Sequence, residues 1–342
     1  MTMFDLRELD APIVGAPMAG GPSTPALAAA VSGAGGLGFL AGALLGADKL
    51  AADIATARNL TSGPIGVNLF VPQFDTGRPE EIAGYAEELA ELASQFAVEL
   101  GEPRYTDDDY PAKIDVLLDL RPDVVSFTFG CASADDIGRL RAAGITTVAT
   151  VTTVDETEMA KARGVDAFVA QGPGAGGHRG TFDPLAEPAT DSLEVLLAAV
   201  LERSDVVIAA GGIGTPEDVE RVVGLGAVAA QVGTALLLSD EAGTNPVSRA
   251  ALQDKQFTET AVTKSFSGRY ARGLKNRFME NHEKTAPLAY PQIHYLTGPL
   301  RRAAVKAGDP HATNHWAGTA FGEARPGAAA AIVEALSSRI RR

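Results

Sequence analysis

Among the side chains able to move a proton, His178 has the most unusual setting. It lies in QGPGAGGHRGTF, residues 171–182, behind Gly172, Pro173, Gly174, Gly176 and Gly177, and the other four histidines all come after residue 280. An imidazole with an ordinary pKa near 6.5 can take or return a proton at neutral pH, so it suits general acid–base work. Glycine costs about 0.5–1 kcal/mol relative to alanine inside a regular element. The run therefore reads as a loop, neither helix nor strand, with one titratable group set in it.

Three further sets of residues could hold a ligand. The segment Ala209-Ala210-Gly211-Gly212-Ile213-Gly214 precedes a helix start at Thr215-Pro216-Glu217-Asp218, and a second small-residue end follows at Gln231-Val232-Gly233-Thr234. Bare backbone N–H groups and a helix N-terminus favour phosphate. Asn68 and Gln171 carry amides that both donate and accept, as a heterocycle with mixed edges requires. A phosphate together with such a ring points to a mononucleotide cofactor, flavin first. The pattern G-x-G-x-x-G occurs at Gly33-Gly35-Gly38 and at Gly172-Gly174-Gly177, but neither has a strand before it and a helix directly after, as a dinucleotide fold needs. No metal site is expected. Cys131 is the single cysteine, and His311 and His315 lack an evident third ligand, so that pair reads as a loop or cap feature.

The elements that must position these groups are regular. Apolar runs at 13–18, 37–42, 65–70, 124–130, 146–151, 167–172, 206–212 and 227–234 are continuous, as in parallel strands covered on both faces. Helix-like segments lie between most of them, at 47–60, 134–143, 155–163, 191–203 and 216–225, with another opening at Thr24-Pro25. Gly144, Gly164 and Gly226 read as helix stops. Eight such cycles predict an α/β protein, a (β/α)8 TIM barrel with its site at the carboxyl ends of the strands. An open doubly wound sheet is the rival; the near-equal units favour closure. The expected division is a barrel at 1–245, carrying an insertion at 71–120 with an acidic helix at 80–100, and a C-terminal lid or substrate segment at 246–342.

The 43 acidic side chains against 29 basic ones give a net charge of −14, which disfavours nucleic acid or an anionic membrane as a partner. No apolar stretch reads as a membrane span or signal, and one cysteine suits a reducing compartment, so a cytoplasmic location is expected. Lys264, Arg269, Arg272, Lys275 and Arg277 form a basic segment, either a solvated face or a means of drawing in an anion. Cys131 reads as a small buried filler.

These motifs resemble the nitronate monooxygenases. The likeness runs through Ala16-Pro17-Met18-Ala19-Gly20-Gly21, Gly66-Val67-Asn68-Leu69-Phe70, Ala175-Gly176-Gly177-His178-Arg179-Gly180, the two strand ends above, Phe266-Ser267-Gly268-Arg269, Ala271-Arg272-Gly273 and Tyr290-Pro291-Gln292, and its C-terminal block looks like class I. The resemblance implies FMN, held by Ala16, Pro17, Met18, Asn68, Gln171, Gly176, Gly177, Gly211, Gly212, Gln231, Val232, Gly233 and Thr234. It implies His178 as the catalytic residue, with Tyr105, Tyr290 and His294 as substrate-pocket candidates. The implied reaction is oxidative denitrification of alkyl nitronates (such as propionate 3-nitronate) and nitroalkanes with O2, giving a carbonyl compound and nitrite, in a monomer or small homo-oligomer. An NAD(P)H:quinone or enoyl reductase on the same FMN barrel is the alternative.

Overall fold

Eight strands run parallel with helices between them. The computed structural model describes residues 3–340. It opens with β1 (Ile13–Gly15), α1 (Pro25–Gly33), β2 (Gly38–Ala41), α2 (Ala47–Leu60) and β3 (Ile65–Phe70). Next come α3 (Pro79–Gln95), α4 (Tyr110–Leu120), β4 (Val124–Thr128), α5 (Ala134–Ala142), β5 (Thr146–Val151) and α6 (Val154–Arg163). Then follow β6 (Ala167–Gln171), β7 (Gly177–His178), α7 (Leu193–Leu201), β8 (Val207–Ala210), α8 (Pro216–Gly224) and β9 (Ala229–Val232). The C-terminal part holds α9 (Pro246–Gln253), β10 (Thr260–Thr263), β11 (Ala271–Leu274), α10 (Arg277–His282), α11 (Gln292–Ala307) and α12 (Ala329–Ser337). Local chemistry sets many of the boundaries. Thr24 caps α1 by accepting the Leu27 N–H ahead of Pro25, and Gly144, Gly164 and Gly226 follow their helices at φ of 84°, 88° and 110°.

The large sheet pairs in the order β1-β9-β8-β6-β5-β4-β3-β2. It closes through the parallel bridge Val14↔Leu37, where the Gly15 N–H reaches Leu37 O at 2.9 Å and the Leu37 N–H reaches Ile13 O at 3.0 Å. The open-sheet alternative is thereby excluded. Alternate strand residues serve the two faces. Val14, Phe39, Val124, Val148, Val169 and Ile208 fill the barrel interior with Leu6 and Leu9. Ile13, Leu40, Val67, Phe127 and Phe168 face the helices.

Three boundaries differ from those expected. Helix α4 is a wall helix whose Ile114 and Leu117 belong to the main core, so the insertion spans 71–109 rather than 71–120. Its helix α3 stops at Gln95, short of residue 100, because Ala97 turns left-handed at φ 51°. Helix α12 returns to the wall against α1 and α8, with Ala329, Val333 and Leu336 in the main core. The segment 246–342 therefore splits: only 246–328 lies outside the barrel, and the last helix is its eighth. The insertion and the lid share one apolar core, in which Ile82, Tyr85 and Leu89 of α3 meet Phe266, Phe278, Met279, Ile293 and Leu296. Among the described residues no helix is long and apolar enough to cross a membrane, and Cys131 is buried.

Candidate active site

His178 is not in a free loop. Gly177 and His178 form β7, an edge strand on the lid hairpin, with Ala271 opposite His178 and Arg272 opposite Gly177. The Arg179 N–H continues the ladder to Tyr270 O at 2.8 Å. The expectation of no strand here fails because the pairing partner lies far along the chain, where local glycine cost does not register. The same loop is tied to residues 316–319, since Thr319 N–H donates to Gly174 O at 3.0 Å. A Cβ on Gly176 would sit 2.5 Å from Ala317 C, and one on Gly211 would sit 2.8 Å from Ala175 N. These glycines admit crossing backbones of the protein itself.

The His178 ring stands in an aromatic box. Ring centroids lie at 5.5 Å from Tyr290, 5.6 Å from Phe129, 5.7 Å from Trp316 and 6.2 Å from Phe70. Burial, reinforced by the guanidinium charges of Arg269 and Arg301, pushes its pKa down to about 3. The imidazole is thus neutral across the physiological range. His178 Nε2 is 2.9 Å from Ser267 Oγ, which itself reaches Arg269 O at 3.2 Å. A carbonyl can only accept, so the assignment that satisfies all three groups has Ser267 donating to Arg269 O and accepting from His178 Nε2–H. That leaves the lone pair on Nδ1. In sequence Ser267 carries no signal of its own beyond its place in Phe266-Ser267-Gly268-Arg269.

A cavity lies against the outer side of this box. Phe70, Phe129 and Tyr290 form one wall; Leu44, Val71, Pro72, Gln73, Tyr105, Thr106, Asp107, Asp108, Pro291 and Tyr295 complete it. Tyr105 and Tyr290 are therefore cavity residues, Tyr105 at the exposed rim with its hydroxyl donating to Gln73 O. His294 does not line the cavity; its ring packs 6.3 Å from Tyr290 and its Nδ1 meets Arg301 Nη2 at 3.2 Å. Phe129 was not anticipated. It holds a left-handed backbone at φ 73° at the end of β4, pinned by Phe70 at 4.3 Å and by the Arg269 guanidinium 3.8 Å above its ring. Such a conformation in a bulky residue costs on the order of 1–2 kcal/mol and persists only where packing over-determines it.

The other side of the box gathers the strand ends. Among the described residues no protein acceptor is paired with the N–H groups of Gly211, Gly212, Gly233 or Thr234. The start of α8 differs from expectation: the Gly214 and Thr215 N–H groups are taken by Asp218 Oδ2 in a capping box, so a carboxylate occupies that helix N-terminus. Thr234 Oγ1 accepts the Gly318 N–H at 2.9 Å. Met18 and Ala16 border Gly233, whose added Cβ would meet Ala16 Cβ at 3.3 Å and Met18 Sδ at 3.5 Å; Pro17 sits between them, part-buried. Asn68 is buried, and its Nδ2 is oriented by Ser126 Oγ at 2.9 Å and Thr128 Oγ1 at 3.0 Å. Gln171 pins its own loop, donating to His178 O at 3.2 Å and accepting from Gly180 N–H at 2.9 Å.

The basic segment separates into two kinds. Lys264 pairs with Glu283, Lys275 pairs with Glu259 and Glu280, and Arg277 is exposed. Arg269 and Arg272 turn inward. Arg269 is buried and, among the described residues, bonds only neutral groups, Gln73 Oε1 and Thr181. Arg301, outside that segment, hydrogen-bonds His294, Thr297 and Asn314. His315 is structural: Ser248 Oγ lies 2.8 Å from its Nδ1 and Pro310 O lies 2.8 Å from its Nε2. Among the described residues no group of three or more His, Cys, Asp or Glu could hold a metal.

A closed parallel barrel with its polar and titratable groups at the carboxyl strand ends defines a (β/α)8-barrel enzyme. A sequence model described as nitronate monooxygenase matches residues 3–338, and the chain belongs to that family. It is 38% identical to a nitronate monooxygenase of Pseudomonas aeruginosa over 98% of each chain. Its fold is similar to that of a nitroalkane oxidase from Streptomyces ansochromogenes, with a TM-score of 0.93, 45% identity and coverage of 97% and 96% of the two chains. It is also similar to FabK from Thermotoga maritima, with a TM-score of 0.73 at 26% identity, covering 97% and 93%. The chain is an oxidoreductase of this family.

Proposed function

We propose that the protein is an FMN-dependent nitronate monooxygenase that converts alkyl nitronates, and nitroalkanes after loss of a carbon proton, into a carbonyl compound and nitrite with O2. The observations that support this reading are a neutral imidazole, aligned by Ser267 and in ring contact with the cavity-wall residues Phe70, Phe129 and Tyr290, and a set of unspent amide donors at the strand ends. Those donors fit an oxygen-rich group such as the FMN phosphate, with Gly211, Gly212, Gly233 and Thr234 as its hydrogen-bond partners. Ala16, Pro17, Met18, Asn68, Gln171, Gly176, Gly177, Gln231 and Val232 are the proposed surroundings of the rest of the cofactor. FMN, when bound, supplies electron acceptance from the nitronate and the reaction with O2.

The chain's own part is proton and charge management. His178 Nδ1 takes the carbon proton of a nitroalkane, and the electron pair moves into the nitro group as the nitronate forms. Arg269 and Arg301, which form no ion pair with a carboxylate among the described residues, favour that negative charge, Arg269 in part offset by the more distant Glu156 and Asp183. A preformed nitronate needs no proton removal. The test is His178→Asn with FMN content measured. Turnover of neutral nitroethane should fall by about 10²–10⁴-fold while oxidation of ethyl nitronate persists; undiminished nitroethane turnover would sink the base assignment. The second reading is an NAD(P)H:quinone or enoyl reductase on the same FMN barrel. Rapid anaerobic bleaching of the flavin by NADH would favour it over the first.

A further inference from the structure

Gln73 stands on the cavity wall just after β3, and its side-chain amide is engaged at both ends. Its Nε2 donates to Phe129 O at 2.8 Å and to Phe182 O, and its Oε1 accepts from Arg269 Nη1. These partners lie 56, 109 and 196 positions further along the chain. Its own carbonyl accepts the Tyr105 hydroxyl at the rim. One residue thus ties the end of β3 to the end of β4, to the segment after β7 and to the lid. Carbonyls only accept and a guanidinium only donates, so the tie needs two donors and an acceptor on one short planar group. A carboxylate has no donor for the two carbonyls, and a thioether replaces none of the three bonds.

The groups held in this way border His178. The Phe129 ring lies 5.6 Å from His178 and carries the Arg269 guanidinium 3.8 Å above it. Its left-handed backbone, at φ 73°, has its carbonyl fixed by Gln73. The other arm of Arg269 donates to Thr181 O and, at 3.1 Å, to Thr181 Oγ1. Phe182, next in the chain, is held from its far side by Glu156 Oε1, which accepts the Phe182 N–H at 2.7 Å. Glu156 and Asp183 act on Arg269 without forming an ion pair among the described residues, so neutral acceptors set where the guanidinium sits.

We propose that Gln73 is a positioning residue of the reaction, holding Arg269 and Phe129 against His178 so that the positive charge faces the nitro group as it becomes anionic. The inference rests on the nitronate reading of the site. Gln73 moves no proton itself; it acts through Arg269 and Phe129. A neutral nitroalkane gains its charge only as the carbon proton leaves, so a displaced guanidinium slows that step and leaves binding alone. A preformed nitronate carries the charge when it binds, so the same displacement weakens binding and spares the later step.

The test is Gln73→Met and Gln73→Glu in the FMN-loaded protein, with rates expressed per bound FMN. Methionine removes all three bonds, whereas glutamate keeps an acceptor for Arg269, offsets its charge and loses both donors. In each variant kcat for nitroethane should fall about tenfold with KM within about twofold of the unmodified protein. KM for ethyl nitronate should rise about tenfold with kcat nearly unchanged, the size of one hydrogen bond to a charged group. A purely structural role would instead lower both kcat values by one factor and leave both KM values alone. That outcome, or variants indistinguishable from the unmodified protein, would overturn the proposal. If Gln73→Met does not fold, the near-isosteric Gln73→Glu decides by the same split. An unmodified protein that oxidises neither compound brings down the nitronate reading and this proposal with it. Activity in the unmodified protein with no split in the variants removes Gln73 alone.

Discussion

Ser267 is a residue whose contribution is separable from that of His178, the proposed base it touches. Ser267→Ala removes the acceptor for His178 Nε2–H, a net hydrogen bond of about 1 kcal/mol. The expected result is a loss of about fivefold in kcat/KM for nitroethane, with ethyl nitronate oxidation nearly unchanged and FMN retained, measured as nitrite release on both substrates. The pH profile is a second check. Only imidazolium is inactive as a base, and the depressed pKa of about 3 means it does not accumulate near pH 6. The acid limb of kcat/KM for nitroethane should therefore lie below pH 5; a limb near 6.5 would mean that the imidazole is more solvated than this geometry allows. His178 stands out in the sequence as a candidate because a lone titratable group in a glycine run is conspicuous. Ser267, Phe129 and Trp316 were not. Each is an ordinary residue locally, and its role exists only against His178, which in the case of Ser267 lies 89 positions away.

At the scale of elements, the glycine-rich loop after β6 works as a crossing. It carries β7 on the lid hairpin and passes under residues 316–319, so barrel and lid meet at the histidine itself. Gly176→Ala places a methyl 2.5 Å from the Ala317 carbonyl carbon, and both are backbone positions that cannot swing aside. A cost of about 1–3 kcal/mol is expected, seen as a lower thermal midpoint and earlier release of the proposed FMN on heating. The wall strands and most wall helices were legible because continuous apolar runs and helix stops are local signals. Helix α4 was hidden inside a long connection, and β7 is too short to have a pattern of its own. The amide donors at Gly211 and Gly233 were legible as small-residue strand ends, whereas the capping of α8 by its own Asp218 depends on side-chain geometry.

For the molecule as a whole, buried neutral histidines tie stability to pH. His178, His294 and His315 all have pKa values pushed below the ordinary range, chiefly by burial. The unfolded chain binds protons below about pH 6.5 that the folded chain refuses, so stability is full above that value and is lost as pH falls toward the folded-state values. For His315 alone, with a pKa of about 4, the loss between pH 7.5 and 5 is about 2 kcal/mol. The urea midpoint should drop over that interval, and His315→Gln should shrink the drop even if it lowers both midpoints. The count of eight units was legible from end to end, but the manner of closure was not, since α12 looks in sequence like the tail of the lid. That placement has a consequence for synthesis. The ribosome makes the first eleven helices and every strand before the helix that seals the wall between α1 and α8. A nascent chain therefore carries an unsealed apolar seam while the whole of 246–328 emerges, and the lid is spliced into the barrel's connectivity rather than appended to it. A cut at residue 245 would not release a finished barrel; all eight strands would be present, but the wall would lack its eighth helix.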